Sequence, residues 1–433
     1  MSSMQRWITD SPELADFGVD RSIFTDPALF EQEIRLIFEG TWIFVGLESQ
    51  IPKPNSFFTT TIGRQPILVT RDDKGAVGCF YNSCRHRGTL LCPLKQGRQR
   101  YHVCRYHGWS YDSAGKNVLV TDETDGQYPA NFHDQNHDLI PVPRFASYRG
   151  LLFASLNPDV PSLDDHLGDS RIFIDLVVDQ SPVGQIEYVP GEISYTFDAN
   201  WKLQFENGLD YYHFLSTHSS YVDILMGREQ SQDHVGHLPR DDDAEGQGSF
   251  SFAHGHAVNW SIRHAQAYGR ALTDIHHRVG EVRAKWMARQ RNLTIFPNLQ
   301  IIDLDSVQIR TWRPLAPDRT EMTSHCVGMV GESDDARRIR IRHYEEFFNP
   351  TGLASSDDNV MYELCQAGYP AEAGATQGYS RGLGGSADGA ARHAAELGIA
   401  PVESSFGKLS FGGETNFHAG YREWLRLLQR GQA

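Results

Sequence analysis

Cys84-Arg85-His86-Arg87-Gly88 and Cys104-Arg105-Tyr106-His107-Gly108-Trp109 are the two stretches that decide how this chain is read. Each supplies one thiol and one imidazole, with a glycine close behind that lets the backbone turn sharply. The surrounding sequence has a β texture. Residues 57–61, 67–70, 77–82 and 150–155 read as short strands, separated by turn signals such as Asp72-Asp73-Lys74-Gly75 and Asp112-Ser113-Ala114-Gly115. This spacing predicts a compact all-β domain over residues 45–160, with the two quoted stretches at hairpin tips. Asn157-Pro158-Asp159-Val160-Pro161 marks its end.

Two thiolates and two imidazoles brought together are a metal site. A Cys2His2 zinc site usually draws both cysteines from one pair and both histidines from another. Here each pair is mixed. A [2Fe–2S] cluster with two Cys on one iron and two His on the other, the Rieske type, suits mixed pairs, because each tip then reaches both irons. Cys84, His86, Cys104 and His107 are therefore the expected cluster ligands, with a structural zinc site as the alternative. Cys79 and Cys92 stand outside the pattern and are expected as small buried apolar residues.

A second constellation lies in Asp210-Tyr211-Tyr212-His213-Phe214-Leu215-Ser216-Thr217-His218. On a helix Asp210 and His213 would share a face, so the carboxylate could fix the imidazole tautomer. His213 and His218 would lie about 140° apart on a regular helix, too far round to chelate one ion. The helix must bulge or end between them. Two His and one carboxylate with open positions form the facial triad of non-haem Fe(II) oxygenases. The remote carboxylate is sought in Ser355-Ser356-Asp357-Asp358-Asn359, where Ser356 or Asp357 could cap a helix. The residues themselves leave Asp357 and Asp358 both open. A redox cluster upstream strengthens this reading, since delivered electrons need an acceptor.

Composition bounds the rest. A chain of 433 residues holds two or three domains. Its net charge of −15 excludes phosphate-driven nucleic-acid binding, which needs clustered Lys and Arg, and opposes binding to anionic membranes. No run of about 18 apolar residues is present, and residues 1–10 lack a signal-peptide core, so a cytoplasmic location is expected. There the six cysteines, including Cys326 and Cys365, are not expected to form disulfides. No Gly-x-Gly-x-x-Gly fingerprint for a dinucleotide is found. Asp26-Pro27 before Leu29, Phe30, Ile34, Ile37 and Phe38 reads as a helix start, so residues 1–44 are expected as an N-terminal helical segment packing on the catalytic domain. Residues 161–433 alternate helical (163–178, within 201–217, 334–348, 359–366) and strand-like (186–198, 291–330) periods. Residues 228–248 look like a polar loop and 374–390 like a mobile or extended excursion. The fold class is α+β: an all-β domain with two cluster-binding hairpins, then a catalytic domain of antiparallel sheet covered by helices.

The two constellations, in this order, resemble the large (α) subunit of Rieske non-haem iron aromatic-ring-hydroxylating dioxygenases. The likeness covers nearly the whole chain and is nearest to the benzoate, toluate and anthranilate branch. Ile62-Gly63-Arg64-Gln65-Pro66, Asn200-Trp201-Lys202-Leu203, Glu206-Asn207-Gly208 and Tyr344-Glu345-Glu346-Phe347-Phe348-Asn349 add to it. The resemblance implies mononuclear iron on His213, His218 and Asp358, the second Asp of its pair. It implies that Asp210 links this site to the second cluster histidine, His107, of a neighbouring subunit. It further implies O2 addition to an aromatic carboxylate to give a cis-diol, with electrons from NADH through a separate reductase, with or without a ferredoxin. The assembly implied is a homotrimer, α3 or α3β3 with a small β subunit. Alternatives are a Rieske monooxygenase acting on an acid such as salicylate, or a Rieske electron carrier. The chain departs from the branch at Tyr211, at Ser219-Ser220-Tyr221-Val222-Asp223 and at Asn359-Val360-Met361-Tyr362, which flank the expected pocket. For the substrate carboxylate Arg310 is the first candidate, on the face shared by Gln308 and Trp312, with Asn207 beside it. Arg313 should point the other way, and a surface ion pair competes for either arginine. His254 and His256 are further pocket candidates.

Overall fold

The computed structural model describes residues 7–231, 246–261, 271–304, 306–371, 373–384, 388–408 and 412–431. The chain divides into two units, Phe38–Leu163 and the combination of Met1–Ile37 with Asp164–Ala433.

In the Phe38–Leu163 unit the regular structure is β strand with short 3-10 turns. Ser56–Ile62 and Gln65–Arg71 are rich in β-branched and aromatic residues and pair antiparallel around the Gly63-Arg64 turn, where Gly63 takes φ +54°. Val77–Tyr81 and Gln96–Arg98 complete that four-stranded sheet. Tyr101–Val103, Ser110–Asp112 and Asn117–Leu119 form a second sheet, and Ile43–Leu47, Leu151–Ser155 and Arg144–Tyr148 a third. Ile43–Leu47 is buried throughout and straddles the expected boundary at 44/45, because its partner is Leu151–Ser155 of this unit. Phe57, Leu68, Leu91, Trp109, Tyr111, Val120 and Leu139 make one core with Cys84, Cys92 and Cys104. Cys79 and Cys92 are buried, as expected.

The other unit is built on a nine-stranded sheet in which each pairing is antiparallel. Leu299–Asp303, Val307–Ala316 and Arg319–Met329 are consecutive neighbours at its centre. The helices Trp201–Asn207, Asp334–His343 and Ser355–Gly368 pack on its strands. Val307, Gln308, Ile309 and Arg310 are all buried, so both faces of this strand are covered here. Period-two alternation puts Gln308 and Arg310 together on one face.

The N-terminal helical expectation needs correction. Asp26 does cap a helix, Pro27–Glu33, its Oδ1 accepting from the N–H groups of Ala28 (2.8 Å) and Leu29 (3.2 Å). Two strands precede it, however, Ile8–Ser11 and Asp16–Asp20. The second pairs with Thr376–Gly378, which lies inside the stretch expected as a mobile or extended excursion. Of the expected 228–248 loop, the helix Ser219–Ser231 and the strand Gln247–Ser251 take the two ends, and residues 232–245 lie outside the described residues. Among the described residues, no helix is long and apolar enough to cross a membrane.

Candidate active site

The two Cys-His tips share one backbone pattern. Gly88 N–H donates to Cys84 C=O and Gly108 N–H to Cys104 C=O, both at 2.9 Å. The amides of Cys84 and Cys104 donate across each tip to Thr89 and Trp109. Gly88 (φ +70°) and Gly108 (φ +76°) take the left-handed conformation this turn requires. The second tip joins Tyr101–Val103 to Ser110–Asp112, and the first is closed by a lone bridge, Ser83 to Leu90. Cys84 and Cys104 are buried, whereas His86 is exposed and His107 half-buried. The rings of His86 and His107 lie 4.6 Å apart, and Trp109 stacks on His86 at 5.0 Å. Tyr111 OH lies 3.4 Å from Cys84 Sγ and accepts from Arg85 N–H.

That arrangement tests the metal. A single tetrahedral ion holds its donors within about 4 Å of one another. Among the described residues, the only set of three or more donor atoms mutually within 4.8 Å is His213, His218 and Asp358. The four tip residues thus do not converge on one ion. Buried sulfurs with outlying imidazoles suit a two-iron cluster, in which Cys84 and Cys104 would hold one iron and His86 and His107 the other.

The second constellation is set by a helix that ends, as the five-residue spacing demanded. Phe214–Thr217 is one turn, His218 leaves helical geometry (φ −103°, ψ 34°), and Ser219–Ser231 starts anew. This swings the two imidazoles to 5.2 Å, with Nε2 of His213 and of His218 at 3.3 and 3.1 Å from Asp358 Oδ1. Neighbouring ligands bonded at about 2.1 Å to one ion are about 3 Å apart, so the three atoms fit one face of a coordination sphere.

Two local expectations change. Asp210 is not helical. Its Oδ1 accepts from Tyr212 N–H (2.7 Å) and His213 N–H (3.4 Å), capping the turn. Its Oδ2 thereby reaches 3.1 Å from His213 Nδ1, at ion-pair distance though off the hydrogen-bond axis. Nor do Ser356 and Asp357 cap their helix, which starts at Ser355 after Ala354. Asp357 and Asp358 both sit in its first turn. Asp358 faces the Nε2 atoms, while Asp357 Oδ2 lies 3.4 Å from Nδ1 of His218. The structure thus separates two carboxylates that the sequence left equivalent.

The electrostatics call for a cation. Burial opposes charge on Asp358, yet hydrogen bonds from His213 and His218 hold its carboxyl well below the usual range. Burial likewise opposes charge on His213, but Asp210 and Asp358 push it up to about 10. Three carboxylates, the buried Asp358 and the half-buried Asp210 and Asp357, surround two imidazoles with excess negative charge, which an Fe(II) ion would balance.

Arg310 is buried and faces this site. Its Nε donates to Gln308 Oε1 (2.9 Å), Nη1 to Asn207 Oδ1 (3.3 Å) and Nη2 to Ser355 Oγ (3.2 Å). Asn207 Nδ2 in turn donates to Asp358 Oδ1 (3.0 Å). Among the described residues, no carboxylate lies within ion-pair distance of Arg310. Arg313 takes the surface role, paired with Glu321 at 2.9 Å. Both ring nitrogens of His256, a further pocket candidate, are already engaged: Nε2 donates to His166 C=O (2.9 Å) and Nδ1 accepts from Phe296 N–H (3.1 Å). His254 turns toward Glu423. Sequence reasoning missed Ser355 and Tyr111, and offered Asp357 only as a helix cap or an alternative ligand, not as the partner of His218 Nδ1. The adjacent Asp-Asp pair was the one available signal.

Comparison with known proteins agrees. Residues 41–130 match the Rieske [2Fe-2S] domain, and residues 186–399 match the ring hydroxylating alpha subunit (catalytic domain). The 2-halobenzoate 1,2-dioxygenase large subunit of Burkholderia cepacia is 40% identical, over 92% of this chain and 87% of its own. The toluate 1,2-dioxygenase subunit alpha of Pseudomonas putida is 41% identical (88% and 85%). The anthranilate 1,2-dioxygenase large subunit of Acinetobacter baylyi is 39% identical (99% and 93%). The crystal structure of naphthalene 1,2-dioxygenase from Rhodococcus sp. bound to indole superposes with TM-score 0.81 at 25% identity, over 96% of this chain and 95% of that one. The chain belongs to the Rieske non-haem iron ring-hydroxylating dioxygenases, as an α subunit. Its two domains imply a [2Fe–2S] cluster and a mononuclear iron.

Proposed function

We propose that this α subunit dioxygenates an aromatic carboxylate of the benzoate or anthranilate type to a cis-diol. The ring gains both atoms of O2 together with two electrons and two protons. The electrons come from NADH through a separate reductase, with or without a ferredoxin. Cys84, His86, Cys104 and His107 hold the cluster, and His213, His218 and Asp358 hold the iron. When bound, the two iron centres supply single electrons and O2 activation respectively. The protein's own residues fix geometry. Asp210 caps the turn that aims His213 and, in the trimer, bridges by hydrogen bonds toward His107 of a neighbouring subunit. Asn207 holds Asp358, and Arg310 takes the substrate carboxylate. The assembly is α3 or, with a small β subunit, α3β3; the names "large subunit" and "subunit alpha" of the relatives support a second component.

The observation that carries the reading is Arg310: a buried guanidinium with no carboxylate partner among the described residues, two hydrogen bonds from the iron triad. A buried charge is costly unless paired, so the site is poised for an anion. The test is oxidation of benzoate, anthranilate, salicylate and halobenzoates with reductase and NADH, on protein carrying three irons per chain. Failure with every acid refutes the substrate class. Monohydroxylated products would replace dioxygenation with monooxygenation.

A further inference from the structure

We propose that Asp357 is a positioning residue that sets the tautomer and orientation of His218. This rests on the reading of His213, His218 and Asp358 as the iron site. A neutral imidazole has one N–H and one lone pair, and a histidine that ligates through Nε2 must keep its proton on Nδ1. A carboxylate facing Nδ1 favours that tautomer, holds the ring plane and makes Nε2 a better donor. Asp357 Oδ2 lies 3.4 Å from Nδ1 of His218, whose side chain is only 3% exposed, so little water can take that place. His213 also has a carboxylate at this edge, Asp210 Oδ2, 3.1 Å from its Nδ1, though off the hydrogen-bond axis.

The two histidines thus each have a carboxylate at both ring edges, and the one at His218 Nδ1 is a hydrogen-bond partner. Each presents Nε2 to Asp358 and Nδ1 to its own second carboxylate. The two supports differ in origin. Asp210 comes from the turn that carries His213, whereas Asp357 comes from the helix that carries the ligand Asp358. One helical turn therefore grips His218 on both ring nitrogens, and the distance between the His218 segment and the Ser355–Gly368 helix is held at two points.

The experiment is Fe(II) titration of the mononuclear site in the cluster-loaded protein after selective chelation, comparing wild type with Asp357→Ala, Asp357→Asn and Asp357→Glu. Loss of such an outer partner typically weakens metal binding 10- to 100-fold. Asp357→Ala is expected to fall in that range, Asp357→Asn to fall less because its amide oxygen still accepts from Nδ1–H, and Asp357→Glu to recover part of the loss. The reduced-cluster spectrum and the thermal unfolding of the iron-depleted protein should not change. Wild-type affinity in Asp357→Ala overturns the proposal. So does a loss that follows destabilisation of the iron-depleted protein or is equal in all three variants. His218→Ala separates the two claims: if it still holds the iron, the site reading fails, and if it alone loses iron, only the role of Asp357 fails.

Discussion

Arg310→Met tests the substrate assignment most directly. A guanidinium has five N–H groups. In this structure Nε, Nη1 and Nη2 each donate one hydrogen bond, to Gln308, Asn207 and Ser355. One N–H then remains on each of Nη1 and Nη2, enough for two charge-assisted hydrogen bonds to a carboxylate. Hydrogen bonds to charged groups contribute about 1.5–3 kcal/mol each, so two of them come to about 3–6 kcal/mol. Removing the arginine also relieves an unpaired buried charge in the free enzyme, which offsets part of that. The expected net loss in kcat/KM for benzoate is about 3–4 kcal/mol, or roughly 10²–10³-fold. Methionine fills similar apolar volume, so packing against Phe348, which now lies 5.5 Å beneath the guanidinium, is largely kept. The assay is product formation with reductase and NADH, with iron content measured on the same sample. Toluene, lacking the carboxylate, is the control and should lose far less. The reasoning is refuted if Arg310→Met stays within threefold of wild type on benzoate at full iron content. It is refuted equally if benzoate and toluene decline together, because Arg310 would then act through Asn207 and Asp358 and not on substrate.

Other outcomes follow from the same geometry. Asp358→Ala should lower iron from three to two atoms per chain while the visible spectrum of the cluster persists; three irons would contradict the triad. Asp210→Asn keeps an oxygen to cap the turn at Tyr212 but removes the charge beside His213, so turnover should fall roughly tenfold or more with both centres loaded, and unchanged turnover would contradict the bridging role. Gly108→Ala would put a Cβ 2.5 Å from Thr121 Oγ1 at φ +76°, whereas Gly150→Ala, at φ +86°, meets nothing within 4 Å. Gly108→Ala should therefore lose cluster content and apparent Tm, and Gly150→Ala should show only the backbone penalty of about 1–2 kcal/mol. Burial lowers His256 to about 4 from 6.5, so the folded state holds it neutral. The unfolded chain binds the proton first as pH falls, so this stabilisation is complete above about pH 6.5 and is lost between 6.5 and 4. At about 1.4 kcal/mol per pH unit it amounts to about 3 kcal/mol. The apparent Tm advantage of wild type over His256→Gln should shrink across that window, and a constant advantage would contradict the assignment.

Much of the fold was legible because its signals are local. The Cys-His spacing, the glycines after it, the β-branched runs and the Asp26-Pro27 start each act within a few residues, and each appears in the structure where its chemistry puts it. The strands at Ile8–Ser11 and Asp16–Asp20 were missed for the opposite reason. Ile-Thr-Asp-Ser and Asp-Phe-Gly-Val-Asp carry little strand propensity, and their stability comes from pairing with each other and with Thr376–Gly378, more than 350 residues along the chain. Composition near residue 376 reads as Gly-rich and loose for the same reason: its partner is remote.

The site divides along the same line. The five-residue step from His213 to His218 could be read as a forced helix end, since the angle between two side chains on one helix follows from that helix alone. The choice between Asp357 and Asp358 could not be read so. Neighbouring helical residues point about 100° apart, and which of them meets the histidines depends on how the helix docks. Docking is fixed by Ser355, whose Oγ donates to Phe348 C=O and accepts from Arg310, and by Asn207 reaching Asp358 from a helix about 150 residues earlier. Once docked, the 100° separation has a consequence that a capping role would not: it lets adjacent aspartates address opposite edges of one imidazole, Asp358 at Nε2 and Asp357 at Nδ1. A single aspartate with a neutral neighbour would have left His218 held at one nitrogen only. The doubled residue at the start of this helix is better explained by the two edges of that ring than by the helix terminus itself.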